Sequence, residues 1–256
     1  MEFIKTKITD HVLLIELCRN EKMNAFTFQM LQELAEAYTM LEDDKELRCG
    51  LLYSKGKHFT AGLDLADVAA EIAKGATLFN DKAVDPVQLM GRKRTKPVVV
   101  AVQGYALTIA IELVLANDIC IAAKGTTFGQ IEIKRGIFPF GGATIRFAQR
   151  CGWGNAMRYL LTGDTFDENE ALRIGLIQEI ANNPYETALK IAKTIAKQAP
   201  LGVQATIVNA TKAFEEGFEA ARADLMPTLN KLMQSKDAKE GVASFVERRE
   251  ANFKGE

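Results

Sequence analysis

Histidine is almost missing from this chain: His11 and His58 are the only two among 256 residues. That argues against a His-based catalytic triad and against a His-rich metal site. His58 borders a glycine turn and reads as a surface residue. Cysteine is sparse as well. Cys18, Cys49, Cys120 and Cys151 form no C-x-x-C pair and no disulfide framework. They read as reduced, buried thiols of a cytoplasmic protein, with no metal site expected. Charge of one sign is not in excess: 32 Lys and Arg face 33 Asp and Glu, a net charge of -1. No nucleic acid and no membrane surface is therefore expected as the main partner. The N-terminus has no basic stretch followed by an apolar run. The most apolar stretch, Ala106 to Ala123, contains Glu112, Asn117 and Asp118 and is a poor membrane span. A G-x-G-x-x-G after a strand, a P-loop and a G-x-S-x-G elbow are all absent.

The remaining composition is that of a globular domain, 48% apolar and 25% charged, long enough to bury one large core. Alternation predicts strands over 3–8 and 12–17, joined by a turn. Leu31, Leu34, Ala35, Tyr38 and Leu41 recur at helical spacing and predict a helix over 28–43, capped by Thr27. Buried strands are expected at 49–53, 98–102 and 119–122, and helices at 65–74, 87–94 and 109–116. Residues 75–86 read as a loop, and the chain after Gly136 reads as a loop through Gly142. Helices follow at 143–150, 154–162 and 166–173, then a short strand at 177–180. From Pro184 onward the pattern is helical throughout: 184–199, 201–215, 217–232 and 237–248. Strand–helix alternation through the first 180 residues predicts a mainly parallel sheet. The helical remainder cannot join that sheet and is expected as a separate layer.

Two carboxylates stand out. Glu112 lies inside an otherwise apolar run, Leu107 to Leu115, and Glu132 lies between Ile131 and Ile133. An unpaired charge in such surroundings costs several kcal/mol, so the carboxyl pKa should rise. Twenty residues apart, the two could meet across one βα unit and divide general acid and general base work. Each could equally be a structural carboxylate paired with Lys134, Arg135 or Arg146. Two turns add a second ingredient. Ala61-Gly62-Leu63 lies where a strand gives way to a helix, and Thr108-Ile109 opens the buried helix. Backbone N–H groups at helix starts have no intrahelical acceptor. Two of them converging would form an oxyanion hole, or both turns are simply helix starts.

The ordered set of motifs resembles one family along essentially the whole chain. The segments are Glu21-Lys22-Met23-Asn24-Ala25-Phe26, Gly56 to Leu65, Lys96 to Ala106, Ile111-Glu112-Leu113 and Ala116-Asn117-Asp118-Ile119. They continue with Phe128 to Glu132, Leu160 to Asp164, Glu170-Ala171, Gly175-Leu176-Ile177, Phe245 to Arg249 and Asn252 to Gly255. In this order and spacing they are similar to the crotonase superfamily, the enoyl-CoA hydratases and isomerases.

The resemblance implies an α/β fold: a repeated ββα spiral core over 1–195 carrying an acyl-CoA site, and a C-terminal helical trimerisation region over 196–256. It implies Glu112 and Glu132 as the catalytic pair, and the N–H groups of Leu63 and Ile109 as the oxyanion hole. It implies a CoA or substrate site near Lys22, Asn24, Ala25, Ala61, Gly62, Asp64, Leu65 and Phe140. Phe253 and Lys254 match a tail that can reach a neighbouring subunit's CoA pocket. The implied partners are an acyl-CoA thioester and further copies of the chain, as a homotrimer or dimer of trimers. No cofactor is implied beyond the CoA of the substrate. The expected reaction adds water across a 2-enoyl-CoA. The alternatives are an enoyl-CoA or dienoyl-CoA isomerase, or a non-catalytic acyl-CoA- or RNA-binding relative. The chain departs from the family pattern at Thr108-Ile109-Ala110, where three glycines are usual, and at Ile131, where proline is usual. The Pro-Gly-x-Gly-Gly loop is shortened by one residue to Pro139-Phe140-Gly141-Gly142, with Phe140 expected to line or lid the site.

Overall fold

The computed structural model describes residues 1–77 and 82–256. The chain runs β1 (Ile4–Thr9), β2 (Val12–Leu17), α1 (Phe28–Asp43), β3 (Cys49–Ser54) and α2 (Leu65–Ala73). It continues through β4 (Val98–Val102), β5 (Tyr105–Leu107), α3 (Ile109–Ala116), β6 (Ile119–Ala123) and β7 (Thr127–Gly129). After a 3-10 turn at Glu132–Arg135 come α4 (Ala143–Cys151), α5 (Trp153–Thr162), β8 (Thr165–Asp167), α6 (Glu168–Arg173) and β9 (Glu179–Ala181). Four helices close the chain: α7 (Pro184–Ala196), α8 (Pro200–Glu215), α9 (Phe218–Met233) and α10 (Lys236–Glu247).

Six strands form one sheet in the order β1-β2-β3-β4-β6-β9, and β5-β7-β8 form a second. Only β1–β2 is antiparallel in the large sheet; its other pairs are parallel. The reason lies in the residues. A parallel sheet needs both faces covered, and β3 and β4 are buried at every position. Alternate side chains divide between the faces. Val12, Leu14, Leu51 and Val99 meet Ala188, Ala192 and Ala196, which share one face of α7. Leu13, Ile15, Leu52 and Val100 meet the apolar face of α1 and most of α3.

The β4–β5–α3 turn places one strand in each sheet and then a helix. The step from β4 to β5 is a tight corner at Gly104, whose φ is +58°. A Cβ there would lie 2.2 Å from the Lys57 carbonyl oxygen, so only glycine fits. The segment Thr60 to Leu63 is held between two neighbours, bridging Ala106 on one side and Phe26 on the other.

Three sequence expectations are corrected. Residues 87–94 form no helix. Asp85 takes the N–H groups of Val87, Leu89 and Met90 with its side chain, and Gln88 adopts a φ of 56°, so helical hydrogen bonding cannot propagate. The helix expected over 166–173 begins only at Glu168, behind an Asp167 cap, because Phe166 and Asp167 belong to β8, where Phe128 and Phe166 pair across β7–β8. Strands β5 and β7 are too short for alternation to reveal. The thiols are all free, with Cys18 only half-buried. Of the expected loop at 75–86, residues 78–81 lie outside the described residues.

Candidate active site

Helix α3 is buried at all eight positions, and its one charged residue is Glu112. Burial is the main force that pushes this carboxyl up to about 7, and the charge of Glu132 adds to it. The N–H groups of Gly141 and Ala143 and the charge of Arg146 oppose the rise. Glu112 Oε1 accepts the Gly141 N–H at 2.6 Å. Glu132 opens the 3-10 turn after β7 and is buried too. Burial raises its carboxyl to about 7, against its own backbone N–H and Gln130. Gln130, fully buried, donates to Glu132 Oε1 at 2.9 Å, and Glu132 Oε2 is left without a partner. Neither glutamate forms an ion pair among the described residues, so Lys134, Arg135 and Arg146 are not their salt-bridge partners.

The two N–H groups lie on facing loops. At the Phe26–Leu63 bridge, Phe26 donates to the Gly62 carbonyl and Asp64 donates to the Phe26 carbonyl. The Leu63 N–H therefore points away from Phe26, toward the side on which β5 runs on into Thr108 and Ile109. The loops touch: a Cβ on Gly62 would lie 2.5 Å from Thr108 Oγ1. Ile109 is the first residue of α3, so its N–H has no acceptor within the helix. Thr108 is held at φ 51° and ψ -108°, and its buried hydroxyl has no partner.

Leu63, Ile109, Glu112, Phe140 and Gly141 all border one small, open-mouthed cavity. Asp85, Leu31, Val87, Leu89 and Met90 complete its lining. Glu132 does not border it, although its charge acts on Glu112. Mostly apolar walls, the Glu112 carboxyl and two facing backbone donors suit a small acyl group whose carbonyl oxygen gains charge during reaction, the Asp85 oxygens being taken by the N–H groups of Val87, Leu89 and Met90.

An enoyl-CoA hydratase/isomerase family model matches residues 7–256. The chain belongs to that family. It is 32% identical over 251 residues to the enoyl-CoA hydratase EchA19 of Mycobacterium tuberculosis, covering 95% of this chain and 93% of that one. It is 30% identical over 261 residues to the 1,2-epoxyphenylacetyl-CoA isomerase of Escherichia coli, covering 100% and 99%. A crystal structure of a probable enoyl-CoA hydratase/isomerase from Mycobacterium abscessus superposes with a TM-score of 0.96 at 52% identity, covering 100% and 99%. The α/β crotonase fold expected from the motifs is the fold of these relatives.

The other expected residues fall into three groups. Ala25, Ala61, Gly62, Asp64 and Leu65 gather where Leu63 meets Phe26, with Asp64 paired to Arg19 at 3.2 Å and Leu65 exposed. Lys22 is exposed beside them, at the end of a 3-10 turn. Asn24 is fully buried and serves the loop itself, donating to Ser54 Oγ and to the His58 carbonyl. Phe253 and Lys254 lie elsewhere: the Phe253 carbonyl accepts from Arg48, and the Lys254 N–H donates to Asp237. Neither borders the cavity of its own chain.

Several site residues of this enoyl-CoA hydratase/isomerase family member escape sequence reasoning. Gly141 holds Glu112 through a backbone N–H, which any residue type carries. Leu31 reads as an ordinary core position of α1, and Asp85, Val87 and Leu89 lie in and beside a stretch with a misleading helical pattern. The pairing of Gln130 with Glu132 had one available signal, a polar side chain two residues before a carboxylate in an apolar segment.

Proposed function

We propose that the chain adds water across the 2,3 double bond of a 2-enoyl-CoA. The thioester oxygen lies between the Leu63 and Ile109 N–H groups and becomes enolate-like as water attacks C3. One glutamate takes a proton from the water and the other delivers a proton to C2, so the pair keeps the same number of protons and its two members exchange protonation states until a proton passes back between them. The observation that supports this reading is the buried Glu112 carboxyl, held by the Gly141 N–H at the wall of the pocket that Leu63 and Ile109 also border, with the charge of Glu132 acting on it. A pair so poised can hold one proton between them at neutral pH, which is the state an acid/base pair needs.

Ala25, Ala61, Gly62, Asp64, Leu65 and Lys22 are the proposed path of the CoA moiety, leading to Phe140 at the acyl cavity. Residues 1–195 serve as the catalytic core and 196–256 as an oligomerisation region of a homotrimer or dimer of trimers. Exposed Phe214, Phe218, Met226 and Phe245 on the last three helices support that role. In such an assembly Phe253 and Lys254 would serve a neighbouring subunit. No cofactor besides the substrate's own CoA enters the proposed reaction. Four free cysteines suit the reducing cytoplasm.

One observation favours a second reading. Glu112 borders the cavity and Glu132 does not, which suits an isomerase with a single base moving a proton between C2 and C4. Loss of enoyl-thioester absorbance with a mass gain of one water supports hydration. A product of unchanged mass with a shifted double bond supports isomerisation.

A further inference from the structure

The stretch from Asp85 to Met90 has no regular structure, yet its polar groups are held from several directions. Asp85 Oδ1 accepts the Val87 N–H at 2.8 Å, and Oδ2 accepts the Leu89 and Met90 N–H groups at 2.7 and 2.8 Å. The Gln88 side chain accepts the Arg94 N–H at 2.9 Å. Arg146, from α4, spans the outside: it donates to the Val87 carbonyl at 2.6 Å and to the Gln88 carbonyl at 2.8 Å. Lys93 donates to the same Gln88 carbonyl at 2.7 Å and pairs with Glu215 on α8. The guanidinium fits because residue 142 is glycine; a Cβ there would lie 2.7 Å from Arg146 Nη1.

The inner side of this stretch is the wall of the cavity, through Val87, Leu89 and Met90. Helix α4 also begins beside Gly141, whose N–H holds Glu112. The loop-to-helix junction at 141–146 therefore carries both the backbone N–H that anchors a glutamate and the side chain that anchors the Val87–Gln88 segment of the wall. A planar guanidinium with two donors in a fixed fork orients a peptide segment more tightly than a point charge can.

We propose that Arg146 is a positioning residue: by gripping the Val87 and Gln88 carbonyls it holds the cavity wall against the acyl group and thereby limits acyl chain length. This rests on the acyl-CoA reading of the cavity. Arg146 itself does not border the cavity, so its influence is transmitted through the loop.

The test uses saturated ligands, whose binding does not depend on turnover. Calorimetry gives the Kd of butyryl-CoA and of decanoyl-CoA for the full-length wild type, R146Q and R146K. The decanoyl-to-butyryl Kd ratio is expected to fall by about fivefold or more in R146Q, because the released wall yields to the longer chain. R146K, which keeps a donor but not the fork, is expected between the two. A ratio within about twofold of wild type in a folded R146Q overturns the proposal, as does an equal loss for both ligands. Hydrogen exchange on the wild type gives a second judgement that needs no variant. The amides of Val87, Leu89 and Met90 are expected to be protected on the scale of α4, and exchange at free-loop rates overturns the clamp. If the wild type binds neither ligand, the acyl-CoA reading itself fails, while the exchange result still decides whether the wall is held.

Discussion

Glu112 and Gly141 are in close contact, bonded at one carboxylate oxygen and crowded at the other. Oε1 accepts the Gly141 N–H at 2.6 Å, and a Cβ on residue 141 would lie 2.1 Å from Oε2. The glycine is required by a close approach, since its φ is not in the left-handed region. Replacing it by alanine should drive the carboxylate from its position. G141A is expected to lower kcat by about two orders of magnitude or more, while the folded state survives with a reduced Tm. Steady-state kinetics beside a thermal melt separates the two effects. Wild-type kcat in G141A would show that the Glu112 anchor is irrelevant to turnover.

The two glutamates should respond differently under the two reactions considered. For hydration, E112Q and E132Q should each lower kcat by roughly two to four orders of magnitude, because each removes one proton-transfer role. For a single-base isomerase, E112Q should carry nearly all the loss. Rates for both variants on one enoyl-CoA, with product identified by mass, distinguish these patterns.

The raised carboxyls give a signed pH dependence. Both glutamates move from 4.5 to about 7 in the folded chain, so between these values the folded state holds more protons than the unfolded one. Stability from these groups is therefore fully present below 4.5 and is lost as pH rises through about 7. The E112Q/E132Q double variant should gain Tm relative to wild type as pH rises from about 5 to about 8. A Tm difference flat across that range would argue against the raised values. The pH profile of kcat/KM should be a narrow bell centred near neutrality, since one carboxyl must be protonated and the other ionised.

Thr108 combines two unfavourable features: a φ of 51° and a buried hydroxyl with no partner. A β-branched residue in that conformation costs about 1–3 kcal/mol. Glycine removes both features, at the expense of greater freedom in the unfolded chain. T108G is expected to be more stable than wild type by about 1 kcal/mol, read as the urea midpoint at constant m. A lower midpoint would mean that the Thr108 contact with Gly62 is worth more than the strain.

Much of this molecule is legible in its sequence. Apolar runs at β3 and β4 announced strands buried on both faces, and the period of α1 announced its inward stripe. A lone carboxylate inside the α3 run announced a raised pKa, because desolvation depends on local surroundings that the neighbouring residues already describe. Ordered motifs over the whole length carried the family. Over 87–94 the helical spacing of apolar residues cannot reveal that Asp85 captures the N–H groups a helix needs.

Sequence alone determined the parallel α/β core, the candidate glutamates and the donor-bearing turns, since each rests on short-range pattern and composition. Tertiary structure alone decided that Leu63 faces the Thr108–Ile109 turn, that Gly141 grips Glu112, and that Arg146 holds the Val87 and Gln88 carbonyls. Those relationships join residues 29 to 59 positions apart through backbone N–H and C=O groups. Every residue type presents those groups alike, proline's missing N–H aside, so the sequence cannot mark them in advance.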